Sequence, residues 1–586
     1  MQRGRKMSDT TSGRRRFLKS SLAGGAAFGM LGQAGKETHA AEPESEAARS
    51  NTTRGYLEKK SRRGAFTVHD GKRPHICLFT ADMISPDCYL PSRELAEFVR
   101  LPNISAIGEA GTRFDNALCL IPLCGPSRAS IFTGKYPPYL TNGERAPMGM
   151  KKDLHAEDTI FQEYLRASGY NTKHAGKCHV GTLKFMDAFG ENDAAWDRWA
   201  PPLLDDDGYV SYLDGLGVQP PVYKKELRGK QSDRKSPGNS YGGWIMQSNG
   251  DDFPLEAHYS VYLARRAVEK LRAARIQTPD SPVYLQLDFF DPHQPFTVPA
   301  GFEQRARELA NRIKLPESYR RIVENDFRPL PGEPDIYSVY RRYWGAYDPQ
   351  LVRDYILCHA LQMEVVDHAV GIVLDELKRL GMWDDSLVTF MGDHGEINGR
   401  LGLFDKGVYF HPDVFRVPLN IKLPSYMRQT LKHESAPVST LDVSRTILGC
   451  AGIATYESYD GENLAPLMTG TGKRPVLEQV FQTGWHVGVN YGAGVQYYAD
   501  AGHHWFYGYN ISGGVQELYN MAEPDPVNVF HDPRHRKIAE SMILRMGDIL
   551  RSDPRWLGYW STFRLHNADV LPRGEGDMQM FVPKKE

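Results

Sequence analysis

The segment from Cys124 to Gly134 brings a cysteine, a proline and an arginine together at the start of a predicted helix. It reads Cys-Gly-Pro-Ser-Arg-Ala-Ser-Ile-Phe-Thr-Gly. Pro126 suits the first turn of a helix, where its missing N–H leaves nothing unsatisfied. Cys124 should therefore lie at a helix N-terminus, next to free backbone N–H groups that attract an anionic group. The alternative for an isolated free cysteine is a small hydrophobic side chain in the core.

Two predicted strands end in groups that can bind a metal ion. One apolar run begins at His75 and ends in Asp82, and another ends at Gly392, directly before Asp393 and His394. Strands that are apolar throughout are typical of a buried sheet, whose C-terminal edge often opens into a binding site. A strand-end aspartate is as often a loop cap as a ligand. Consecutive Asp and His residues can both reach one cation where glycine lets the backbone turn.

Lysine and histidine residues follow two further predicted strands. Lys177 and His179 are two residues apart on a segment that we expect to be extended, so their side chains should converge on one anion. The alternative is a solvated strand end. His293 lies between Pro292 and Pro295, whose rings stiffen the backbone around the imidazole. Such a histidine suits a general acid, although an isolated histidine is more often structural.

Taken together, these segments resemble the motifs of the sulfatase family. Cys-x-Pro-x-Arg at Cys124 is similar to the signature whose cysteine a separate enzyme oxidises to formylglycine, an aldehyde whose hydrate is the nucleophile. Gly-Lys-x-His-x-Gly around Lys177 and Pro-His-x-Pro-Phe around His293 are similar to further family motifs. Asp-His-Gly-Glu at Asp393 is similar to the second signature, and the run that follows it supplies Lys406.

The resemblance runs in order from about residue 75 to 551 and implies a role for each polar group. The implied catalytic residues are Cys124, Arg128, Lys177, His179, His293 and Lys406. The implied ligands of a divalent cation are Asp82, the modified Cys124, Asp393 and His394, which must then lie together. Arg128, Lys177 and His179 would hold the hydrate, and Lys406 would add positive charge. His293 would protonate the leaving group, and His179 is a candidate base for the release of sulfate.

Three residues depart from the pattern of many sulfatases. Met83 follows Asp82 where those enzymes have a second aspartate, and a thioether is a poor ligand for a hard cation. His394 replaces the common asparagine, and Cys178 replaces a large aromatic residue, which predicts a packing change. The variant resembles the branch that contains choline sulfatases and phosphonate monoester hydrolases. With these departures Ca²⁺ remains the first choice of metal, and Mn²⁺ or Mg²⁺ are alternatives.

The function expected from the resemblance is hydrolysis of a small-molecule or glycan sulfate ester. Hydrolysis of a phosphonate monoester or a phosphodiester is the alternative, because the same groups can stabilise a phosphoryl transition state. A further alternative is an inactive binding protein on this fold, in which Cys124 stays a thiol. The modification also implies a maturation partner, the formylglycine-generating enzyme.

Strands alternating with helices predict an α/β fold. The resemblance implies an alkaline-phosphatase-like α/β/α sandwich with a smaller C-terminal domain containing an antiparallel sheet. We expect a catalytic domain over 71–475, with insertions near 201–252 and 297–348, and a C-terminal subdomain over 476–586. The first insertion should be irregular, because it is rich in Gly, Pro, Asp and Lys without periodicity. Its basic residues predict a solvated loop or a basic lip for a polyanion: Lys224, Lys225, Arg228, Lys230, Arg234 and Lys235.

Residues 1–40 are expected to be a twin-arginine signal peptide. Residues 14–19 read Arg-Arg-Arg-Phe-Leu-Lys, a short run of small apolar residues follows, and small residues near Ala40 offer a cleavage site. Residues 41–70 are rich in charge, Ser and Thr and predict a linker or surface arm. We therefore expect a periplasmic or secreted enzyme that the twin-arginine export machinery carries in the folded state, after Cys124 has been oxidised.

The composition argues against several classes of protein. A net charge of −1 over 586 residues gives no basic surface for nucleic acid as the main partner. Seven scattered cysteines predict neither a disulfide scaffold nor a zinc site. A chain of this length can bury a large core and form more than one structural unit.

Overall fold

The computed structural model describes residues 71–136, 154, 158–181, 185–186, 188–189, 195–455, 459–472, 480–483, 492–511, 513–552 and 556–571. The predicted signal peptide (1–40) and linker (41–70) lie outside the described residues. Their assignments stay predictions.

The strands in this part of the chain are β1 (His75–Asp82), β2 (Thr112–Leu118), β3 (Asn171–Lys177), β4 (Ala195–Trp196), β5 (Pro221–Lys230), β6 (Pro237–Gln247), β7 (Val283–Pro292), β8 (Phe296–Val298), β9 (Ser386–Gly392), β10 (Arg416–Lys422), β11 (His433–Glu434), β12 (Val438–Ser439), β13 (Val480–Thr483), β14 (Gly492–Asp500), β15 (His503–Asn510) and β16 (Val515–Asn520). The α-helices are α1 (Pro102–Ala110), α2 (Cys124–Thr133), α3 (Phe161–Ala167), α4 (Asp207–Leu216), α5 (Tyr259–Gln277), α6 (Glu303–Ala310), α7 (Glu317–Glu324), α8 (Asp335–Trp344), α9 (Pro349–Arg379), α10 (Pro412–Phe415), α11 (Leu441–Cys450), α12 (Ala465–Met468), α13 (Arg536–Ser552) and α14 (Leu557–His566).

A large, mostly parallel sheet forms the centre of the protein. Its strands follow the order β11-β2-β10-β9-β1-β7-β3-β4, and β12 also pairs with β2. The adjacent strands β9, β1, β7 and β3 run parallel, whereas β10 is antiparallel to both of its neighbours. The central strand β1 is buried almost throughout. A parallel sheet buried in this way needs helices on both faces.

Two groups of helices supply these layers. The first consists of α1, α5 and α9, and α9 packs against the other two helices and against β7. The second consists of α2, α3 and α11, which contact one another. Together with the parallel-rich sheet, these layers confirm the expected α/β/α sandwich.

The longest helix, α9, is a core element. The side chain of Asp348 accepts a hydrogen bond from the backbone N–H of Gln350, and Pro349 occupies the first turn, as helix starts favour. By length and composition alone α9 could cross a membrane, but 83% of its most apolar window is buried inside the protein.

The C-terminal region contains the expected antiparallel sheet. Its strands follow the order β13-β14-β15-β16, and α13 packs on β14 and on α14. This confirms the smaller sheet with a terminal helical region. The predicted boundary between the two domains stays a prediction, because residues 473–479 lie outside the described residues.

The expectation of an irregular insertion over 201–252 is wrong. That range contains α4 and the antiparallel hairpin of β5 and β6, and β6 also pairs in parallel with β8. Gly242 has φ 76°, and a Cβ atom there would lie 2.2 Å from the backbone nitrogen of Phe296. A glycine is therefore needed at 242 because the backbones of β6 and β8 approach closely there, and not because the segment is irregular. The second insertion, 297–348, folds into the three short helices α6, α7 and α8.

The sequence leaves a solvated loop or a basic lip open for the basic residues of the first insertion, and the structure places most of them in local ion pairs. Five of the six basic residues lie beside an acidic group: Lys224 (Asp252, 3.8 Å), Lys225 (Asp354, 2.7 Å), Arg228 (Glu226, 2.8 Å), Lys230 (Asp348, 3.0 Å) and Arg234 (Asp326, 2.8 Å). Neighbouring opposite charges cancel at a distance, so the segment presents little net positive field to a polyanion.

Candidate active site

The predicted site residues converge at one edge of the central sheet, where four parallel strands end. Asp82 is the last residue of β1 and Lys177 is the last residue of β3. Asp393 directly follows β9, and His293 directly follows β7. Cys124 is the first residue of α2, as predicted. Because the C-terminal ends of parallel strands meet at one edge, these groups come together from distant parts of the chain.

Four residues form a compact, buried cluster. Asp82, Cys124, Asp393 and His394 place one ligand atom each within 4.8 Å of one another. Nε2 of His394 lies 3.2 Å from Sγ of Cys124 and 3.4 Å from Oδ1 of Asp82. Nδ1 of His394 donates to the carbonyl oxygen of Gly395 at 3.0 Å, so Nε2 of a neutral ring can act as a ligand. The expected metal ligands therefore share one neighbourhood.

The charges of this cluster fit a divalent cation. Oδ1 of Asp82 is buried and has no hydrogen-bond partner among the described residues. Burial raises the pKa of the Asp393 carboxyl, and the neighbouring Asp82 raises it further. Two buried carboxylates repel each other unless positive charge lies between them. Carboxylate and imidazole groups together are suitable ligands for a cation such as Ca²⁺, Mn²⁺ or Mg²⁺.

The buried Cys124 side chain is surrounded by positive charge. Burial raises the pKa of the thiol, but Lys177, Lys406 and His394 together outweigh burial, so the pKa lies well below its usual value. His179 contributes a hydrogen bond to the sulfur. The position therefore favours an anionic group at residue 124, as a helix N-terminus also does.

Lys177 and His179 reach the site by different routes. Nζ of Lys177 contacts the Asp82 carboxylate and donates to the carbonyl oxygen of Trp199 at 3.2 Å. His179 has φ 54°, a left-handed conformation, so the backbone turns after β3. The expectation that both residues lie on one extended segment is wrong, although the turn still brings His179 to Cys124.

Arg128 connects the helix that carries Cys124 to the strands around it. Its Nε donates to Oδ2 of Asp393 at 2.8 Å, and its Nη1 donates to the Lys177 carbonyl oxygen at 2.9 Å. Nη1 also lies 3.3 Å from Oδ1 of Asp288. All three side chains of this ion-pair network, Arg128, Asp288 and Asp393, are completely buried. The described contacts of Arg128 therefore hold the metal-ligand candidate Asp393 in place.

Sequence reasoning missed a supporting pair behind Arg128. Nε2 of His174 lies 2.9 Å from Oδ2 of Asp288, and Nε2 of Gln286 donates to the same oxygen at 2.6 Å. The available signal was a carboxylate within the apolar run of β7, because a buried charge requires a partner. The identity of that partner could not be read from the sequence, since His174 lies on another strand.

His293 and Lys406 form a second contact across the site. Nζ of Lys406 lies 2.5 Å from Nε2 of His293 and 2.8 Å from Oδ1 of Asp405. Nδ1 of His293 lies 2.5 Å from the carbonyl oxygen of Gln294, which fixes the ring. The Met83 sulfur lies 3.6 Å from Nζ of Lys406. The residue that replaces the common second aspartate thus packs beside this lysine.

Comparison with known protein families identifies the family of this chain. The family model described as Sulfatase matches residues 91–453, more than half of the chain. The chain belongs to the sulfatase family. A second family model, described as N-sulphoglucosamine sulphohydrolase, C-terminal, matches residues 399–551. Sulfatase-family enzymes hydrolyse sulfate esters, so the predicted family and the assignment as a hydrolase are confirmed.

Two relatives in sequence are described as sulfatases, and one solved structure shares the fold. A protein of Escherichia coli (strain K12) described as the uncharacterized sulfatase YidJ is 27% identical over 374 residues. The match covers 62% of this chain and 65% of that relative, slightly less than two thirds of its length. A choline-sulfatase of Rhizobium meliloti (strain 1021) is 25% identical over 429 residues, which cover 69% of this chain and 73% of the relative. The solved structure of the phosphonate monoester hydrolase SpPMH from Silicibacter pomeroyi has a TM-score of 0.60 at 17% identity and covers 85% of this chain and 96% of that one. This last similarity shows a shared fold.

Proposed function

We propose that this protein hydrolyses a sulfate ester to an alcohol and inorganic sulfate, with residue 124 as the nucleophile. The observation that carries the proposal is the buried cluster in which Cys124 meets two carboxylates and an imidazole within 4.8 Å. Lys177 and Lys406 add positive charge at the same position. Preorganised positive charge of this kind stabilises the negative charge that develops on sulfuryl oxygens during transfer.

The proposal adds two components to the described side chains, a modified residue 124 and a metal ion. Oxidation of Cys124 by the formylglycine-generating enzyme would provide a hydrated aldehyde whose oxygen attacks sulfur, and a divalent cation held by Asp82, Asp393 and His394 would polarise the sulfate. Arg128 orients Asp393 through its 2.8 Å hydrogen bond. The ammonium group of Lys177 lies against Asp82 and stays close to residue 124.

We assign the proton transfers of the reaction to two histidines. We assign protonation of the leaving alcohol to His293, whose Nε2 lies 2.5 Å from the ammonium group of Lys406 and can share its proton. We assign the base that regenerates the aldehyde to His179, which hydrogen-bonds residue 124. Burial lowers the pKa of the His179 imidazole, and Lys177 lowers it further. A neutral imidazole can accept the proton from the second hydroxyl of the hydrate.

Hydrolysis of a phosphonate monoester or a phosphodiester is the second candidate. It is supported by Met83 and His394, which give the metal site fewer oxygen ligands than a site with a second aspartate and an asparagine would have. A cluster of cations and a metal can stabilise phosphoryl as well as sulfuryl transfer.

The test of the proposed function has two parts. Mass spectrometry of the peptide that carries residue 124, from protein produced with the maturation enzyme, should give the mass of formylglycine. Turnover of an aryl sulfate, an aryl phosphodiester and phenylphosphonate monoester should then be compared, and the sulfate should react fastest. An unmodified thiol in fully active protein would contradict the mechanism, and faster phosphonate turnover would reverse the order of the two candidates.

We also propose the identity of the metal, from the chemistry of its candidate ligands, and the route of export, from the sequence. Ca²⁺ is our first choice of metal, with Mn²⁺ or Mg²⁺ as alternatives, and elemental analysis of purified protein would identify it. Export through the twin-arginine machinery to the periplasm or medium is proposed from residues 1–40. Replacing the arginine pair at Arg14 and Arg15 with lysines should then retain the protein in the cytoplasm.

A further inference from the structure

A large aromatic side chain stands exposed beside the buried site. Trp199 is 50% exposed. Its indole ring lies 5.9 Å from the imidazole of His293, measured between ring centroids, and the two planes are inclined by 51°. A tryptophan normally buries most of its surface, so half-exposure next to a catalytic group needs an explanation.

The backbone holds Trp199 firmly in this place. Its carbonyl oxygen accepts a hydrogen bond from Nζ of Lys177 at 3.2 Å. The preceding strand β4 pairs with the end of β3, where Trp196 lies opposite Lys177. Asp197 accepts a hydrogen bond from the backbone N–H of Gly181 at 3.3 Å. The half-exposed ring therefore belongs to a segment that is hydrogen-bonded to the site through Lys177 and β3.

The position of His293 indicates which part of a substrate would meet this ring. In the proposed reaction His293 protonates the oxygen that leaves with the alcohol, so the alcohol must lie on the His293 side of the sulfate. His293 is only 4% exposed, whereas the adjacent Trp199 is exposed. An alcohol that extends from the buried sulfate towards solvent past His293 would pass the indole ring.

We propose that Trp199 is a stacking platform for the alcohol portion of the substrate, and that this residue makes the enzyme favour esters with a ring, aryl or pyranose, next to the ester oxygen over acyclic esters. This inference rests on the proposed function and adds a residue that selects the leaving group. An indole face offers a flat, rigid apolar surface that packs against an aromatic ring or against the C–H face of a sugar. A small acyclic alcohol would gain little from it.

The experiment compares substrates that differ in the ring but react similarly. Glucose 6-sulfate and ethyl sulfate are both primary alkyl esters, and 4-nitrophenyl sulfate supplies an aryl ring. In Trp199→Ala, kcat/KM for the two ring esters should fall about five- to tenfold, mainly through a higher KM, with ethyl sulfate unchanged. Trp199→Phe should restore most of the loss. Tyr343→Ala, at a side chain that is 53% exposed in α8, is the matched control and should change nothing.

Other outcomes separate the alternatives. A loss on only one of the two ring esters supports the platform and identifies its ring. An equal loss on ring and acyclic esters would overturn the proposal, since it would mean that Trp199 only shields His293. A loss confined to choline sulfate, included as a cationic acyclic ester, would also overturn it in favour of a cation-binding face. If the wild-type protein, with residue 124 modified, hydrolyses none of these esters, it is the proposed function that fails.

Discussion

Nη1 of Arg128 lies 3.3 Å from Oδ1 of Asp288, and both side chains are completely buried. On its other edge the same guanidinium donates to Asp393 at 2.8 Å. Burial by itself would lower the pKa of Arg128, but the two carboxylates, Asp393 first, raise it above its usual value. The arginine is therefore a fixed positive charge between two strands, and one of its two partners is a candidate metal ligand.

The first prediction concerns Asp288. Asp288→Asn keeps the shape of the side chain but removes the charge that holds Arg128, so Arg128 should shift towards Asp393 and disturb the metal ligand. We expect kcat to fall about 10- to 100-fold, by analogy with other groups that orient metal ligands. Stability should fall by about 3 kcal/mol, because one member of a buried ion network is lost. Steady-state kinetics and urea unfolding measure the two effects.

The matched control is Asp367→Asn, which also removes a buried carboxylate. Asp367 accepts hydrogen bonds from Asn103 and from the backbone N–H of Ile104, at the start of α1. This variant should lose stability and retain kcat in the folded protein. If both variants retain kcat equally, Asp288 serves stability alone.

The second prediction concerns the leaving group. His293→Ala should lower turnover of an alkyl sulfate about 100-fold or more, because a poor leaving group needs a proton. Turnover of 4-nitrophenyl sulfate, whose phenolate leaves without a proton, should fall far less. The ratio of kcat/KM between the two substrates is the measurement, and equal losses on both would refute the assignment of His293 as the acid.

Much of the sheet could be predicted from the sequence, because its strands are apolar runs bounded by polar or glycine residues. β1 spans His75–Asp82 and β9 ends at Gly392, as the sequence predicts. Helix ends are harder to predict: apolar periodicity after Asp158 and a stop at Gly169 predict a helix over 158–169, whereas α3 spans Phe161–Ala167. Stable interior strands are specified by local hydrophobicity, whereas helix ends depend on local caps and packing.

The remaining features depend on contacts between distant segments. The hairpin of β5 and β6 looked irregular because its glycines serve close backbone approach and its partner β8 lies far along the chain. His174 and Asp288 are 114 residues apart, so no local pattern shows that they meet. The motifs identified the site residues, but the network behind Arg128 required the fold.

The third prediction concerns the metal. Chelation should abolish turnover and lower the melting temperature, because the facing carboxylates of Asp82 and Asp393 would repel each other without a cation. Adding back Ca²⁺, Mn²⁺ and Mg²⁺ one at a time should restore both properties with the native ion. Asp393→Asn should abolish turnover and bound metal while the protein stays folded. Full metal content in that variant would remove Asp393 from the ligand set.

The last prediction concerns acid stability and His359, a completely buried residue of α9. Its Nε2 accepts a hydrogen bond from the backbone N–H of Ser85 at 3.1 Å, so the ring is neutral in the folded protein. Burial lowers the pKa of His359 from 6.5 to about 3. The unfolded chain therefore binds a proton that the folded protein does not, and stability falls as the pH drops from about 6.5 towards 3. The full shift corresponds to an effect on the order of 5 kcal/mol.

His359→Gln should be less stable than wild type at pH 7, by about 1 to 2 kcal/mol, because the hydrogen bond to Ser85 is weakened or lost. Its urea midpoint should nevertheless fall less steeply than that of the wild type between pH 6.5 and 4, since the titrating group is gone. His368→Gln, at an exposed histidine of the same helix α9, is the control and should keep the wild-type pH dependence. Parallel pH curves for wild type and His359→Gln would show that this histidine does not set the acid limit.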